Sequence, residues 1–465
     1  MRYPNSVFLT EAWLKKKPDD TRQTKTYLAH FIRTGFICAM LTIISAPTAL
    51  AKPGTRGNLP WDWTGIIGTG QSLSVGAQGF PLISTTQPFG NLQLSTGGLP
   101  WPIDPNDTHL SMVPLVEPVG RHSTNYPSSW PENIDGETPH TAMANEITAL
   151  VRAALDRDFI SVHGAVGENG QGMIYLKKHA VQQGVNGHSY EAALVETKAI
   201  TRLAKAAGKT YGVSALIVTH GESDAGNANY EKELRQLWKD YSADLRVITG
   251  QKQKIQMIVS QQNSCADHSA STQAQWKIGV DYPKDIVCSG PKYQYPYVAD
   301  GVHLMAEGYR QLGEKYGQIY FERVVLGKDW QPLEPTRVKH DSKTLTVHFH
   351  VPVPPLVWAT NLELPHQSIA EWKDGKGFEV QRANGEKVAI VSVTISGDAV
   401  VIVCASDPGP GACVGYAMVG EKQPMQTPLK GTFRWGLLRD SDPFVGASTE
   451  VAQPNFSVAF ETTAR

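Results

Sequence analysis

Hydrophobic positions recur along this chain with two different periods, and the change from one to the other falls near residue 327. Between about 60 and 326, short apolar runs alternate with longer stretches in which apolar residues return every three or four positions. Trp63-Thr64-Gly65-Ile66-Ile67, Phe159-Ile160-Ser161-Val162-His163, Ala215-Leu216-Ile217-Val218-Thr219-His220 and Ile255-Gln256-Met257-Ile258-Val259 read as buried strands. Met143, Ile147, Leu150, Val151 and Leu155 make a helical stripe over 142–157, and helices are also expected over 190–207, 229–248 and 305–324. Strands alternating with helices imply right-handed βαβ crossovers and a parallel sheet covered on both faces. The stretch 78–139 has no period and is expected to be a long loop rich in Pro and Trp. Its aromatic residues either pack the loop onto the core or offer a platform to sugar rings.

After Gly327 the helical period disappears. Short β-rich runs follow, such as Leu345–His350 and Lys387–Val393, separated by hairpin signals at Asn384-Gly385 and Ser396-Gly397-Asp398. The expected organisation is an α/β domain over 60–326, a smaller antiparallel, sandwich-like domain over 330–440, and a tail over 441–465 that returns to the first domain.

The ends and the composition add three points. A basic stretch, an apolar run from Phe36 through Ile44, and small residues ending at Ala49-Leu50-Ala51 have the layout of a secretory signal peptide. Residues 1–51 are read as that signal, with cleavage after Ala51 and a secreted or periplasmic product; no stable membrane span is expected. Formal net charge is −1 with 19% charged residues, so there is no basic surplus to hold a nucleic-acid backbone. Of five cysteines, Cys265, Cys288, Cys404 and Cys413 follow the leader; in an exported protein that even count favours disulfides, and sequence order suggests Cys265–Cys288 and Cys404–Cys413 among the three possible pairings.

Candidate chemistry sits where elements end. Gly68-Thr69-Gly70-Gln71-Ser72-Leu73-Ser74-Val75-Gly76 follows the first strand, and a serine on such a turn projects into the cleft outside the strand ends. The second strand ends in the Gly-rich turn Gly167–Gly172, the third in His220-Gly221-Glu222-Ser223-Asp224, and Asp300-Gly301-Val302-His303 precedes the final helix. A nucleophilic serine needs a base, a group that orients the base, and donors for the oxyanion. Ser72 is the candidate nucleophile; Asp300 can hold Nδ1–H of His303 and leave Nε2 for Ser72. Dinucleotide, Walker, H-E-x-x-H and G-x-S-x-G patterns are all absent. His348 and His350 share a strand face with no third ligand nearby, so no metal is expected there.

Taken in order, the four turns resemble the blocks of the SGNH (GDSL-like) hydrolase superfamily, most closely its sialate O-acetylesterase and carbohydrate esterase branch. Gly70-Gln71-Ser72 with Gly76 is similar to the first block, Gly167-Glu168-Asn169-Gly170 to the glycine block, Thr219–Asp224 to the Q-G-E-S-D/N block, and Asp300–His303 to the D-G-x-H block. Gly136-Glu137-Thr138-Pro139 also looks like this branch. The resemblance implies a flavodoxin-like three-layer α/β/α domain and a serine esterase that needs no cofactor and no metal. It implies Ser72, His303 and Asp300 as the triad, with Gln71, His220 and Glu222 beside the substrate. The Ser72 N–H and a glycine of the second block would bind the oxyanion, with Gly167 and Gly170 both eligible because Asn169 stands where a double glycine is usual. His220 stands where Gln is usual, so its donation depends on tautomer. The expected substrate is an O-acetyl or other short acyl ester on a carbohydrate. A polysaccharide O-acyltransferase, a lipid or polyester esterase, and a non-catalytic carbohydrate-binding protein are the rivals.

Overall fold

The computed structural model describes residues 60–119, 136–182, 185–186, 189–264, 266–360, 370–420 and 436–464. The leader 1–51 lies outside them. In chain order the first part comprises β1 (Trp63–Gly70), β2 (Leu92–Ser95), β3 (Ser111–Pro114), α1 (Pro139–Leu155), β4 (Ser161–Ala165), α2 (Met173–Leu176) and the short pair β5 (Val181–Gln182) and β6 (Val185–Asn186). It continues with α3 (Ser189–Ala206), β7 (Tyr211–Thr219), α4 (Tyr230–Thr249), β8 (Gln256–Val259), α5 (Ala270–Asp281), β9 (Ile286–Cys288) and α6 (Ala306–Tyr320).

A seven-stranded sheet has the order β3-β2-β4-β1-β7-β8-β9. It is parallel except for the edge strand β3. Within it β4-β1-β7-β8-β9 is the 2-1-3-4-5 order of flavodoxin-like folds. The order reverses at β1, which opens a crevice outside the carboxyl ends of β1 and β7. Both strands are buried along their whole length. Their side chains alternate between two cores, as the period of two demands. Ile66, Ala215 and Ile217 face α1 and α6, packing with Met143, Ile147 and Leu312. Ile67, Leu216 and Val218 face α3 and α4, packing with Ile200, Leu234 and Leu237. Burying each large aliphatic side chain contributes ~1.5–3 kcal/mol, so this two-sided burial fixes which way each strand end points.

Helix α6 is held to the sheet by hydroxyls as well as by its apolar stripe. Tyr309 donates to the Ala77 carbonyl at 2.7 Å, Tyr316 bonds the hydroxyls of Thr219 at 2.9 Å and Ser260 at 2.8 Å, and Tyr320 bonds that of Ser214 at 2.7 Å.

The second part comprises β10 (Glu334–Asp341), β11 (Thr344–His350), β12 (Val357–Trp358), α7 (Ala370–Lys373), β13 (Phe378–Gln381), β14 (Ile390–Ser396), β15 (Ala399–Cys404), β16 (Cys413–Tyr416), β17 (Leu438–Arg439) and β18 (Phe460–Thr463). These form antiparallel sheets β10-β11-β15-β14, β13-β16-β18 and β12-β17 around one apolar cluster that includes Val347, Phe378, Val400, Tyr416 and Phe460. The Ser396-Gly397-Asp398 signal falls in the β14–β15 hairpin. The last stretch lies against the α/β part: the Glu314 carboxylate accepts from the Ser448 and Thr449 backbone N–H groups, both at 2.8 Å, and Ala459 N–H donates to Gln261 at 2.8 Å.

Three expectations need correction. The stretch 78–139 contains an edge hairpin-like pair, β2 and β3, and its Trp101 packs against apolar neighbours. Strand β9 and helix α5 were not expected. The Cys404–Cys413 disulfide does not form, because the two residues lie on strands of different sheets and are free thiols. Cys288 is likewise a free buried thiol, and its expected partner Cys265 lies outside the described residues. Burial pushes the Cys288 thiol up to about 12 and the Cys413 thiol up to about 11, so both stay protonated.

Candidate active site

Ser72 lies where β1 leaves the sheet. Gly70 has φ +140, and a Cβ there would meet the Thr219 carbonyl oxygen at 2.1 Å. Only glycine allows the chain to bend so close to β7. Ser72–Ser74 then form one turn of 3-10 helix, closed by Val75 N–H donating to the Ser72 carbonyl at 3.3 Å, which also accepts from Ala77 N–H at 3.0 Å. Ser72 is only 3% exposed.

Behind this turn stands Gly136-Glu137-Thr138-Pro139. Glu137 N–H donates to the Gly79 carbonyl at 2.8 Å, and its carboxylate accepts from Ile83 and Ser84 N–H at 2.7 and 3.0 Å. Thr138 caps α1 by accepting from His140 N–H at 3.1 Å and donates to Glu117 at 2.8 Å. Burial first, then the charge of Glu137, pushes the Glu117 carboxyl up to about 8.

Gln71 ties the first turn to the third. Its N–H donates to the Thr219 carbonyl at 3.2 Å, and its side-chain oxygen accepts from Ser223 N–H at 3.1 Å. The second turn is bound to the first by Glu168 N–H donating to the Gly70 carbonyl at 2.9 Å. Gly167 is pressed against it: a Cβ there would sit 1.8 Å from Ser74 Oγ. Gly170 has φ +73, and its carbonyl accepts from Ser223 Oγ at 3.3 Å. The first three turns therefore converge on the carboxyl ends of β1, β4 and β7.

Asp300–His303 forms the tip of a narrow hairpin whose stem is the antiparallel bridge between Tyr297 and Leu304. Asp300 Oδ1 accepts from Val302 and His303 N–H at 2.8 and 2.9 Å, and Oδ2 accepts from His303 Nδ1 at 2.6 Å. Partial burial works to raise the Asp300 pKa, but these bonds outweigh it and hold the carboxyl below the usual aspartate value. His303 Nε2 is buried with no hydrogen-bond partner. The hairpin leads into α6, whose Tyr309 holds Ala77, so the Asp300–His303 loop and the turn that carries Ser72 are anchored to the same helix.

His220 and Glu222 are more deeply engaged than the sequence implied. His220 Nε2 faces the Gln171 carbonyl at 3.0 Å, which can only accept, so Nε2 carries the proton; Nδ1 then accepts from Tyr230 Oη at 2.7 Å. Burial holds its pKa below the usual histidine value. With both ring nitrogens committed, His220 braces the third turn against the second. Glu222 forms a buried ion pair with Lys292 at 3.1 Å, both side chains nearly inaccessible. Lys292, Tyr309 and Tyr230 are site-supporting residues that the sequence did not single out. Gly290-Pro291-Lys292 has no pattern that marks a buried lysine, whereas the buried stripe of α6 contained Tyr309.

The fold resembles that of a solved carbohydrate acetylesterase. The crystal structure of XAC1771, a novel carbohydrate acetylesterase from Xanthomonas citri, matches with a TM-score of 0.51 over 86% of this chain and 80% of that one, at 12% identity. A protein from Arabidopsis thaliana matches at TM-score 0.40 and 17% identity, over 57% of this chain and 100% of that one. NanS matches at TM-score 0.35 and 11% identity, over 56% of this chain and 97% of that one. At these identities the likeness is one of fold. No family model and no curated protein matches the chain. No helix among the described residues is long and apolar enough to cross a membrane.

Proposed function

We propose that this protein is an exported serine ester hydrolase that removes O-acetyl or other short acyl groups from a carbohydrate. The observation that carries the reading is the Asp300–His303 pair. The carboxylate fixes the imidazole with Nδ1 protonated and leaves Nε2 buried and free to accept a proton, although no hydrogen bond joins it to Ser72 Oγ in this structure.

In this reading His303 Nε2 takes the Ser72 Oγ proton as Oγ attacks the acyl carbonyl. The backbone N–H groups of Ser72 and of Gly167 or Gly170 receive the oxyanion, a contribution of ~10²–10³-fold per donor. As the C–O bond to the sugar breaks, His303 gives its proton to the departing sugar oxygen, which leaves as a hydroxyl. Water, activated by the same nitrogen, releases the acid and restores Ser72. Gln71, His220 and Glu222 hold the turns in register. The covalent step needs no metal or cofactor. Ser72→Ala is expected to abolish hydrolysis of p-nitrophenyl acetate and of acetylated sugars while leaving the melting temperature unchanged. A folded variant that kept most of its activity would remove Ser72 from the mechanism. Export with cleavage after Ala51 is tested by N-terminal sequencing of the mature product.

A further inference from the structure

A second group of ionisable side chains lies where the antiparallel part meets the segment entering α5, on elements that carry none of Ser72, Asp300 and His303. In the three-stranded sheet, Gly415 on β16 is paired with Glu379 on β13 and with Glu461 on β18. Residues in register on adjacent strands share a face. The row therefore reads Glu–Gly–Glu, with no side chain between the two acids. The Glu379 carboxylate fills that gap: a Cβ on Gly415 would meet Glu379 Oε1 at 2.8 Å. His268 closes the group from the other side. Its Nδ1 contacts Glu461 Oε1 and lies 3.6 Å from Glu379 Oε1. One ligand atom from each of the three residues falls within 4.8 Å of the others.

The protein's own groups leave this cluster unsatisfied. Glu379 is 5% exposed, and neither of its carboxylate oxygens has a hydrogen-bond partner. A buried carboxylate without partners is costly, and natural interiors answer it with a pairing charge or a metal. The single proton on His268 Nδ1 is directed to Glu461. Lys387 is paired with Glu371, and its charge reaches Glu379 without a hydrogen bond to it.

We propose that His268, Glu379 and Glu461 bind a divalent transition-metal cation, Zn²⁺ foremost. One imidazole nitrogen and two carboxylate oxygens are a donor set that suits Zn²⁺. His268 and Glu461, 36% and 30% exposed, leave the fourth position open to water. Ligand atoms ~2.1 Å from a tetrahedral ion lie about 3.4 Å apart, so closing the site takes side-chain movements of about an ångström. The two glutamates balance the ion's charge. The ion would fasten β13 and β18 to the segment entering α5. His268 N–H already donates to the Met418 carbonyl at 2.9 Å, and three residues later Ser271 Oγ donates to the Gly221 carbonyl at 2.8 Å. The cation is thus a brace between the C-terminal sheet and the support of the third turn.

The test uses the full mature chain, freed of metal by chelator and titrated with Zn²⁺ by calorimetry and by thermal melting. One ion per chain is expected, with a rise in melting temperature that Mg²⁺ does not reproduce. His268→Ala and Glu379→Gln are expected to weaken binding at least tenfold and to abolish the thermal shift. Should Glu379→Gln fail to fold, Glu461→Gln, which alters a more exposed ligand, supplies the second reading. Absence of stoichiometric binding, or equal binding by the variants, overturns the proposal. So does a cluster that stabilises the protein only when His268 is protonated, with no response to metal.

Discussion

Replacing Asp300 by Asn separates orientation of the base from integrity of the loop. Asp300 accepts three hydrogen bonds, two through Oδ1 from backbone N–H groups and one through Oδ2 from His303 Nδ1. An Asn in the same rotamer keeps the first two, because its carbonyl oxygen occupies the Oδ1 position. It presents NH₂ where Oδ2 stood, which can only donate. His303 must then accept at Nδ1, so its proton moves to Nε2, the nitrogen that receives the Ser72 proton in the proposed mechanism. Loss of the correct tautomer in a serine triad costs ~10⁴ in kcat. That corresponds to about 5.4 kcal/mol in the barrier, with little change in fold stability. Asp300→Ala serves as the contrast, since it also releases Val302 and His303 N–H; for a carboxyl a third exposed, each lost bond is worth about 1 kcal/mol after discounting for solvent. The assay is steady-state hydrolysis of p-nitrophenyl acetate with thermal melting of both variants. An Asn variant that keeps a tenth or more of wild-type kcat, with an unchanged melt, would refute the assignment of Asp300 as the group that orients His303.

Further outcomes are expected elsewhere. Lys292→Met strands Glu222 as a buried charge and should destabilise the protein by ~3–5 kcal/mol in urea unfolding, whereas the double variant with Glu222→Gln should recover most of that loss; a single variant within about 1 kcal/mol of wild type would contradict the pairing. The Glu117 carboxyl is raised from 4.5 to about 8 in the fold, so between these values the folded state holds a proton that the unfolded state has released. Stability from this group is therefore present below the unfolded value and is lost as pH rises through about 8. Glu117→Gln, which cannot ionise, should flatten the decline of stability with pH over that window, and an unchanged slope would remove Glu117 as its source.

The parts of the fold that were legible in the sequence are those whose buried faces are apolar. The stripe Met143, Ile147, Leu150, Val151 predicts α1 closely, and β1 and β7 announce themselves as unbroken buried runs. Helix α5 escaped because it buries Ser271, Thr272 and Gln275, polar residues that bond the carbonyls and side chains of neighbouring turns. A rule that counts apolar positions cannot see such a face. Strand β9 is three residues long, too short for a period to register. The blocks around Ser72, Glu168, Glu222 and His303 were readable because backbone constraints write glycine and polar residues at fixed offsets. The roles of His220 and Glu222 were not, since their partners Tyr230, Gln171 and Lys292 lie elsewhere in the chain.

The three tyrosines of α6 have a consequence for how the site keeps its dimensions. Tyr309, Tyr316 and Tyr320 are spaced seven and four residues apart, on one face, and each hydroxyl meets a different part of the sheet or of the turn after β1. Sliding the helix by one turn moves it ~5.4 Å and breaks all of these contacts at once. They act as index pins: the helix can seat at one setting along its axis and at no neighbouring one. Because His303 lies only three residues before the first turn of α6, the setting of the helix is also the setting of the Asp300–His303 loop. Substitutions in the solvent-facing loops can then accumulate without altering the spacing between that loop and the turn after β1.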